Sequence, residues 1–268
     1  MPQFKPEIRA SAIDDYLDCN GRGIARIFRD ILKSEGVSLN EEPSLVPVYN
    51  GIGTGAHKGA EHTLNEKLNG VEASLSDTEE ISINKLHKEL SGGASFDAST
   101  RNMNTAEKQL RQICRTYYYM ILPDKKPVKT EVPLRAENAD FILTGHPDVI
   151  EDVRISDLKT GAQASNYFAQ MGVYSLLARS EGFNQPEYLQ IDHIPRSKPN
   201  QEPTPCLYDT ETCESVAFEG AARIATDINN FLETADPTVI SRNPRSMICG
   251  PKYCPAFDTD FCPITKRR

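Results

Sequence analysis

The stretch "DFILTGHPDVIEDVRISDLKTG" (140–161) contains two candidate β-strands with a very short gap between them at Glu151–Asp152. Two apolar strand-like runs joined so closely predict an antiparallel hairpin. Side chains alternate along a strand, so Asp157 and Lys159 point to one face. Asp148, in the preceding strand, can converge on that face from across the hairpin.

Either the three side chains form a catalytic centre, or Asp157 and Lys159 form an ordinary surface ion pair. Two neighbouring carboxylates repel each other unless a cation lies between them, and Mg²⁺ or Mn²⁺ bound by oxygen ligands meets that need. An adjacent ammonium can orient a water molecule and offset phosphate charge. However, acid-x-Lys triplets arise often by chance, so the triplet Asp157-x-Lys159 taken alone favours a solvated ion pair.

Composition limits the class of protein. The chain has 268 residues, of which 38% are hydrophobic and 25% charged, as expected for one globular domain spanning residues 1–268. It begins without an apolar leader and contains no run long enough to cross a bilayer, which predicts a cytoplasmic protein with no membrane partner. The net charge of −8 argues against a general nucleic-acid coat. It leaves open an enzyme that meets phosphate through metal ions.

Two helical segments flank the predicted strands and carry polar residues. "GTGAHKGAEHTLNEKLNG" (53–70) predicts a helix that presents His57, and residues 165–182 predict another, capped by Ser165. On the second helix Gln170 and Tyr174 share a face by their i, i+4 spacing. Each of these residues, considered alone, is more often structural than functional.

The order of elements predicts an α+β or mixed α/β fold, with a mixed central sheet flanked by helices. Residues 71–100 are polar and contain "SGGAS", which indicates a surface excursion, and a long helix is expected over 103–122. A further helix is expected over 24–36, and another over 214–235.

Taken together in chain order, the motifs are Gly53-x-x-x-His57, Gly145-x-x-Asp148, Asp157-x-Lys159 and Gln170-x-x-x-Tyr174. This series resembles the PD-(D/E)XK nuclease superfamily, and within it the RecB-like branch that includes the CRISPR-associated iron–sulfur exonucleases. The resemblance implies a restriction-endonuclease-like core over residues 53–235. It also implies a metal-dependent exonuclease that hydrolyses DNA with free or single-stranded ends. The implied settings are recombination or repair, phage DNA metabolism and CRISPR adaptation, with a protein partner from such a pathway.

The resemblance assigns a role to each motif residue. The implied ligands of Mg²⁺ or Mn²⁺ are His57, Asp148, Asp157 and the backbone carbonyl of Leu158. Lys159 would orient the attacking water, while Gln170 and Tyr174 would help to hold DNA. Glu131, in the strand before Asp148, could point at the same face, although a structural role is favoured for it.

The cysteines form a second pattern. Their number, seven, is odd and no export signal precedes them, which argues against a disulfide framework. Thiolates suit zinc or iron–sulfur clusters. The resemblance implies a 4Fe–4S cluster, favoured over zinc, that joins residues 1–52 to residues 236–268. Its ligands would be Cys19, Cys249, Cys254 and Cys262.

A catalytically inactive, nuclease-like module for DNA binding or assembly is the alternative, stapled by zinc or iron–sulfur. The complete set Asp148, Asp157 and Lys159 counts against it. Scattered basic side chains could contact phosphates, but each is expected to be a solvated charge. They are Arg22, Arg26, Arg29, Arg196, Lys198 and the terminal "KRR".

Overall fold

The computed structural model describes residues 4–41, 44–161 and 166–263. The strands in these ranges are β1 (Glu7–Arg9), β2 (Val46–Pro47), β3 (Ala94–Ser95), β4 (Lys129–Thr130), β5 (Leu134–Glu137), β6 (Ile142–Gly145), β7 (Val149–Ile150), β8 (Arg154–Lys159), β9 (Tyr188–His193) and β10 (Thr204–Asp209). The α-helices are α1 (Ala10–Asp18), α2 (Asn20–Ile27), α3 (Arg29–Ser34), α4 (Val48–Leu68), α5 (Leu75–Glu89), α6 (Met103–Thr116), α7 (Phe168–Ser180) and α8 (Thr210–Thr234).

The main sheet is mixed, as predicted. Five strands follow the order β10-β9-β8-β7-β4, in which β8 and β9 are parallel and the other pairs antiparallel. Three further strands pair in the order β1-β6-β5, and β2 pairs with β3. Helices pack against the strands, so the predicted fold class, a mixed sheet flanked by helices, is confirmed.

The hairpin predicted around Glu151–Asp152 is present. Val149 pairs with Ser156 and Ile150 with Ile155, and the backbone amide of Glu151 donates a 2.9 Å hydrogen bond to the carbonyl of Arg154. Short β-branched runs on both sides of a tight turn favour this pairing.

The side chains on the two faces of the hairpin are buried in two different hydrophobic cores. Ile150 and Ile155 belong to the core that includes α7 and α8, whereas Val149 and Leu158 belong to the core formed with α4, α5 and α6. The register is therefore fixed on both faces, because a slip of one residue would exchange the two sets. This register holds Asp157 and Lys159 on the α7 side.

Several predicted boundaries were wrong. The helix expected over 24–36 is interrupted at Phe28, whose backbone leaves the helical region at φ −115°, ψ 32°. The helix expected over 53–70 is α4, which begins earlier, at Val48, and ends at Leu68. The helix expected over 103–122 changes after Thr116 into a π-helical turn. Ser165, the expected cap of the 165–182 helix, lies outside the described residues, and α7 starts at Phe168.

The expected surface excursion over 71–100 contains the helix α5. Ser74 caps it by accepting a hydrogen bond from the Asp77 amide, and Ile83 and Leu86 are buried in the core with α4 and α6. Because most residues of α5 are polar, its apolar stripe did not predict a helix. Packing of that stripe in the core stabilises the helix. The edge strand β10 was not predicted either.

The N-terminal helices and the C-terminal segment lie against each other. The amide of Gly21 donates to the Ser241 carbonyl at 3.0 Å, and that of Asn40 to the Pro255 carbonyl at 2.7 Å. Arg22 was expected to be solvated but is 1% exposed, and it donates to Ser246 Oγ at 2.9 Å. It also pairs with the carboxylates of Asp15 and Asp18, so its charge is compensated inside the protein.

Candidate metal centre

An open cleft of about 910 Å³ lies where α4, the β7–β8 hairpin and α7 meet. The predicted side chains that line it are His57, Asp148, Asp157, Lys159, Gln170 and Tyr174. His57 and Tyr174, which are 117 positions apart along the chain, thus line the same concave surface. This juxtaposition agrees with the set inferred from the motif order.

Three of these side chains form a compact group of nitrogen and oxygen donors. One donor atom from each of His57, Asp148 and Asp157 lies within 4.8 Å of the other two. His57 Nδ1 is 2.9 Å from Asp148 Oδ1. Among the described residues this is the one such cluster of three His, Cys, Asp or Glu side chains.

The hairpin backbone fixes the orientation of Asp148. Its Oδ2 accepts a 2.6 Å hydrogen bond from the amide of Leu158, in the neighbouring strand. Asp148 lies in the loop before β7, where the chain passes from one sheet to the other. A carboxylate held by a backbone amide has little freedom to turn away, so one of its oxygens stays directed at His57. The orientation of the Leu158 carbonyl towards a metal stays a prediction.

Lys159 and Gln170 hold Asp157 from two sides. Lys159 Nζ lies 2.7 Å from Asp157 Oδ2, and Gln170 Nε2 donates to Asp157 Oδ1 at 3.2 Å. The same Gln170 nitrogen donates to the Tyr174 hydroxyl at 2.8 Å, as their i, i+4 spacing predicts. The Tyr167 ring lies 5.0 Å from Lys159 Nζ and adds a cation–π contact.

The charges of the group are strongly interdependent. Burial would raise the pKa of Asp148, but His57, the Leu158 amide and Lys159 together hold it below its ordinary value. Burial, and then the charge of Asp148, raises the pKa of Asp157. Burial opposes the charged form of His57, yet Asp148 outweighs it and raises the pKa of His57 to about 9. Lys159 remains an ammonium, since Asp157 overcomes the effect of burial and raises its pKa.

The donor set fits a hard divalent cation. Asp157 Oδ2 is buried and pairs with the Lys159 ammonium at 2.7 Å, with no further donor to it in the described chain. Two neighbouring buried carboxylates are costly unless cations offset both of their charges. One imidazole and two carboxylates are ligands that Mg²⁺ or Mn²⁺ accepts. A cation would also replace the proton that His57 carries here, because a ligating imidazole must be neutral.

Glu131 faces the same cleft, as the sequence indicated that it could. It is among the lining residues, and its amide donates to the Asp148 carbonyl at 3.2 Å. Burial, followed by the charge of Asp148, raises the pKa of Glu131 to about 8. Its φ of +45° is unusual for a residue with a side chain and marks a constrained position.

Asp14 is a residue of the site's surroundings that the sequence did not suggest. From α1, its two carboxylate oxygens accept hydrogen bonds from the amides of Ala169 and Gln170, at 3.0 and 2.9 Å. It therefore caps α7 from another part of the chain, at the turn that carries Gln170. No local sequence signal could reveal a cap supplied from 155 positions away.

The four cysteines proposed as cluster ligands lie in the region where the two ends of the chain meet. Cys19, Cys254 and Cys262 are buried, Cys249 is half-buried, and all seven cysteines are free thiols. Burial raises the pKa of the Cys254 thiol, and the nearby thiols of Cys262 and Cys19 raise it further.

Comparison with known proteins was informative at the level of the family. No curated protein matches the chain. A solved structure from Eubacterium rectale, named "Putative exonuclease", is 14% identical, with 85% of this chain and 80% of that one covered and a TM-score of 0.45. A likeness at that level assigns no activity. None of the helices in the described part of the chain combines the length and apolar character of a membrane span.

The family model of the PD-(D/E)XK nuclease superfamily matches residues 10–259, which is nearly the whole chain. Its namesake acidic and lysine residues correspond in type to the Asp148, Asp157 and Lys159 that meet in the cleft. With the match extending over α1 to the C-terminal segment and the mixed sheet in place, this chain belongs to the PD-(D/E)XK nuclease superfamily.

Proposed function

We propose that the protein is a metal-dependent exonuclease that hydrolyses DNA at free or single-stranded ends. The observation that carries this proposal is the donor group of His57, Asp148 and Asp157 with the Lys159 ammonium beside it in an open cleft. Superfamily membership supports nucleolysis as the chemistry. The proposed settings are recombination or repair, phage DNA metabolism, or CRISPR adaptation, each with a protein partner.

His57, Asp148 and Asp157 would hold Mg²⁺ or Mn²⁺, with the Leu158 carbonyl as a further ligand. When bound, such an ion supplies Lewis-acid stabilisation of the phosphate and a more acidic bound water. In hydrolysis the water oxygen forms a bond to phosphorus and gives up one proton to solvent, while the bond from phosphorus to the leaving oxygen breaks and that oxygen takes up a proton.

The protein's own side chains have separate tasks in that reaction. Lys159 stays protonated because Asp157 and Asp148 raise its pKa, so it acts as a hydrogen-bond donor to the water or a phosphate oxygen. Gln170 fixes one oxygen of Asp157 and is itself fixed next to Tyr174. The Tyr174 hydroxyl lines the cleft and keeps its own hydrogen to donate to the DNA backbone, whereas the Gln170 amide, with both hydrogens already donated, orients that hydroxyl.

We further propose that Cys19, Cys249, Cys254 and Cys262 bind a 4Fe–4S cluster. The burial of Cys19, Cys254 and Cys262 and the contact between the two chain ends support this.

The cluster is tested on protein purified without oxygen. We expect a brown protein with broad visible absorption and about four iron atoms per chain, as a cluster with four cysteine ligands implies. Cys262→Ser should lose this absorption, whereas Cys206→Ser, at a half-buried position on β10, should keep it. Stoichiometric zinc with no visible absorption would contradict the cluster.

The catalytic proposal is tested with linear and covalently closed DNA of the same sequence. Wild-type protein with Mn²⁺ should degrade the linear form, leave the closed circle intact and stop when EDTA is added. Lys159→Ala should abolish degradation, while Lys108→Ala, at an exposed position on α6 outside the cleft lining, should not. Equal degradation by wild type and Lys159→Ala would refute the mechanism, and cleavage of the closed circle would refute the requirement for an end. A folded wild type without nuclease activity would instead indicate the non-catalytic module.

A further inference from the structure

A second cavity adjoins the metal cleft along the C-terminal segment. Its volume is about 520 Å³, and it shares the lining residues Val46, Tyr49 and Asn50 with the cleft. From there it runs between the α2–α3 region and residues 251–255. We call it the tail groove, defined by Arg26, Arg29, Tyr49, Lys252 and Tyr253.

The charge of the tail groove is opposite to that of the whole protein. Among the described residues that line it, three are cations (Arg26, Arg29 and Lys252) and one is an acid (Glu41), whereas the chain carries −8 overall. Part of this charge is already engaged, because Arg26 pairs with Asp15 at 2.8 Å and Arg29 donates to the Asn40 carbonyl at 2.6 Å. The Lys252 side chain is exposed and lies over the ring of Tyr253, with Nζ 5.0 Å from the ring centre. A local excess of positive charge on an acidic protein favours a polyanion at this place.

Two partly exposed tyrosines lie in the tail groove, each with a cation on its ring. Tyr49 is 37% exposed and has the Arg196 guanidinium 5.7 Å from its ring centre. Tyr253 is 38% exposed and has the Lys252 ammonium 5.0 Å from its ring centre. Exposed aromatic faces next to cations are the combination on which unpaired bases stack while their phosphates meet positive charge.

The position of Tyr49 connects the two cavities. It lies in the first turn of α4, the helix that also carries His57, and it lines both the cleft and the tail groove. Arg196 is held by Asp97, Ser99 and Thr100, so the cation behind the Tyr49 ring is fixed. A strand leaving the metal centre therefore meets Tyr49 first and the Lys252–Tyr253 pair next.

From these contacts we propose that the tail groove binds single-stranded DNA continuous with the strand in the cleft, with bases stacked on Tyr49 and Tyr253. The proposal rests on the proposed nuclease function and deepens it. It makes the C-terminal segment part of the substrate-binding surface. Unpaired bases are required, because paired bases in a duplex do not offer their faces to a tyrosine ring.

Binding of fluorescent oligonucleotides to the Lys159→Ala protein with Mn²⁺ tests the groove without degradation. For a single strand of about 16 nucleotides, adding Tyr49→Ala or Tyr253→Ala should weaken binding roughly five-fold or more, the loss expected for one stacking partner. Tyr49→Phe should bind as the parent does, because stacking needs the ring and not the hydroxyl. Lys252→Ala should lower the salt dependence of binding by roughly 0.7 in the log–log slope.

Tyr119→Ala is the matched control, since Tyr119 is 65% exposed and lies after α6, away from the groove lining. Its binding should equal that of the parent. For a strand of about 4 nucleotides, Tyr253→Ala should have little effect, because so short a strand fits within the cleft and does not reach Tyr253. Thermal unfolding and the visible absorption of each variant check that the fold and the cysteine region are intact.

The outcomes separate this proposal from the nuclease assignment. Unchanged binding in both tyrosine variants, while wild type degrades DNA, would overturn the tail groove and leave the nuclease intact. An equal loss for a blunt duplex would overturn the single-strand assignment. Wild type that binds single strands through the tyrosines but degrades nothing would refute catalysis and retain the groove.

Discussion

The carboxylate of Asp14, on α1, accepts a 2.9 Å hydrogen bond from the backbone amide of Gln170, on α7. Gln170 in turn donates its side-chain amide to Asp157 at 3.2 Å. A residue of the N-terminal helix is thus two hydrogen bonds away from a proposed metal ligand. Burial raises the pKa of Asp14 despite the amides and the Lys159 charge, so the two hydrogen bonds offset only part of the cost of burying this carboxylate.

We expect Asp14→Ala to lower both stability and catalysis. Loss of a helix cap costs about 1 kcal/mol in the free energy of unfolding, and the freed first turn of α7 would shift Gln170 relative to Asp157. Asp14→Asn, which can still accept a hydrogen bond, should recover part of both. Urea unfolding and kcat on linear DNA measure the two effects.

Asp209→Ala is the control for that experiment. Asp209 caps α8 by accepting a 2.8 Å hydrogen bond from the Thr212 amide, in an exposed position. This variant should lose a comparable free energy of unfolding and retain kcat. Equal losses of kcat in Asp14→Ala and Asp209→Ala would show that Asp14 acts through general stability alone.

The sequence was sufficient for the parts of the site that local patterns encode. The hairpin followed from two apolar runs around Glu151–Asp152, and the pairing of Gln170 with Tyr174 followed from helical spacing. Joining these to His57 required a known motif order, because no local pattern places α4 against the hairpin. In the structure, His57 Nδ1 lies 2.9 Å from Asp148 Oδ1.

The features that escaped prediction depend on partners distant in sequence. The helix α5 is polar by composition, and close packing against α4 buries it: an added Cβ at Gly55 would lie 2.9 Å from the Ser82 carbonyl. Arg22 was expected in solvent; its partners Asp15 and Asp18 are local, but Ser246, which also accepts from it, is 224 positions away. Local propensity does not contain such information.

The ion pair of Asp97 with Arg196 should make stability depend on pH in the acid range. Burial opposes ionisation of Asp97, but Arg196 and Ser99 lower its pKa from 3.8 to about 2. A lowered folded-state pKa gives stability that is present above about 3.8 and is lost as the pH falls through about 2. The Tm of wild type should therefore fall more steeply over this window than that of Asp97→Asn. Parallel curves for the two proteins would contradict the pKa shift.

Two buried cysteines outside the proposed cluster should resist alkylation in the folded protein. Burial raises the pKa of Cys114 to about 11 and that of Cys213 to about 12, so neither forms the reactive thiolate near neutral pH. Cys206 is half-buried and should be modified first by iodoacetamide at about pH 8, near the ordinary thiol pKa. Peptide mass spectrometry identifies the sites, with urea-unfolded protein as the control in which all three react. Early modification of Cys213 would contradict the packing of α8.

Two glycines of the site helices should respond to alanine with opposite sign. A Cβ at Gly172, on α7, would lie 1.9 Å from the Cys213 carbonyl oxygen of α8, so the helices would have to separate. Overpacking of this kind costs roughly 1–3 kcal/mol, and we expect Gly172→Ala to lower the free energy of unfolding by at least that amount. At Gly53, on α4, the nearest atom would be Thr160 Oγ1 at 3.6 Å, an ordinary contact.

Gly53→Ala should therefore be tolerated and should raise the free energy of unfolding by up to about 1 kcal/mol, the gain for alanine inside a helix. Urea denaturation of both variants measures the difference. If Gly172→Ala were as stable as wild type, α7 and α8 could not be packed as closely as the structure shows. Because α7 carries both Gln170 and Tyr174, that result would also remove the geometric basis for placing them beside Asp157.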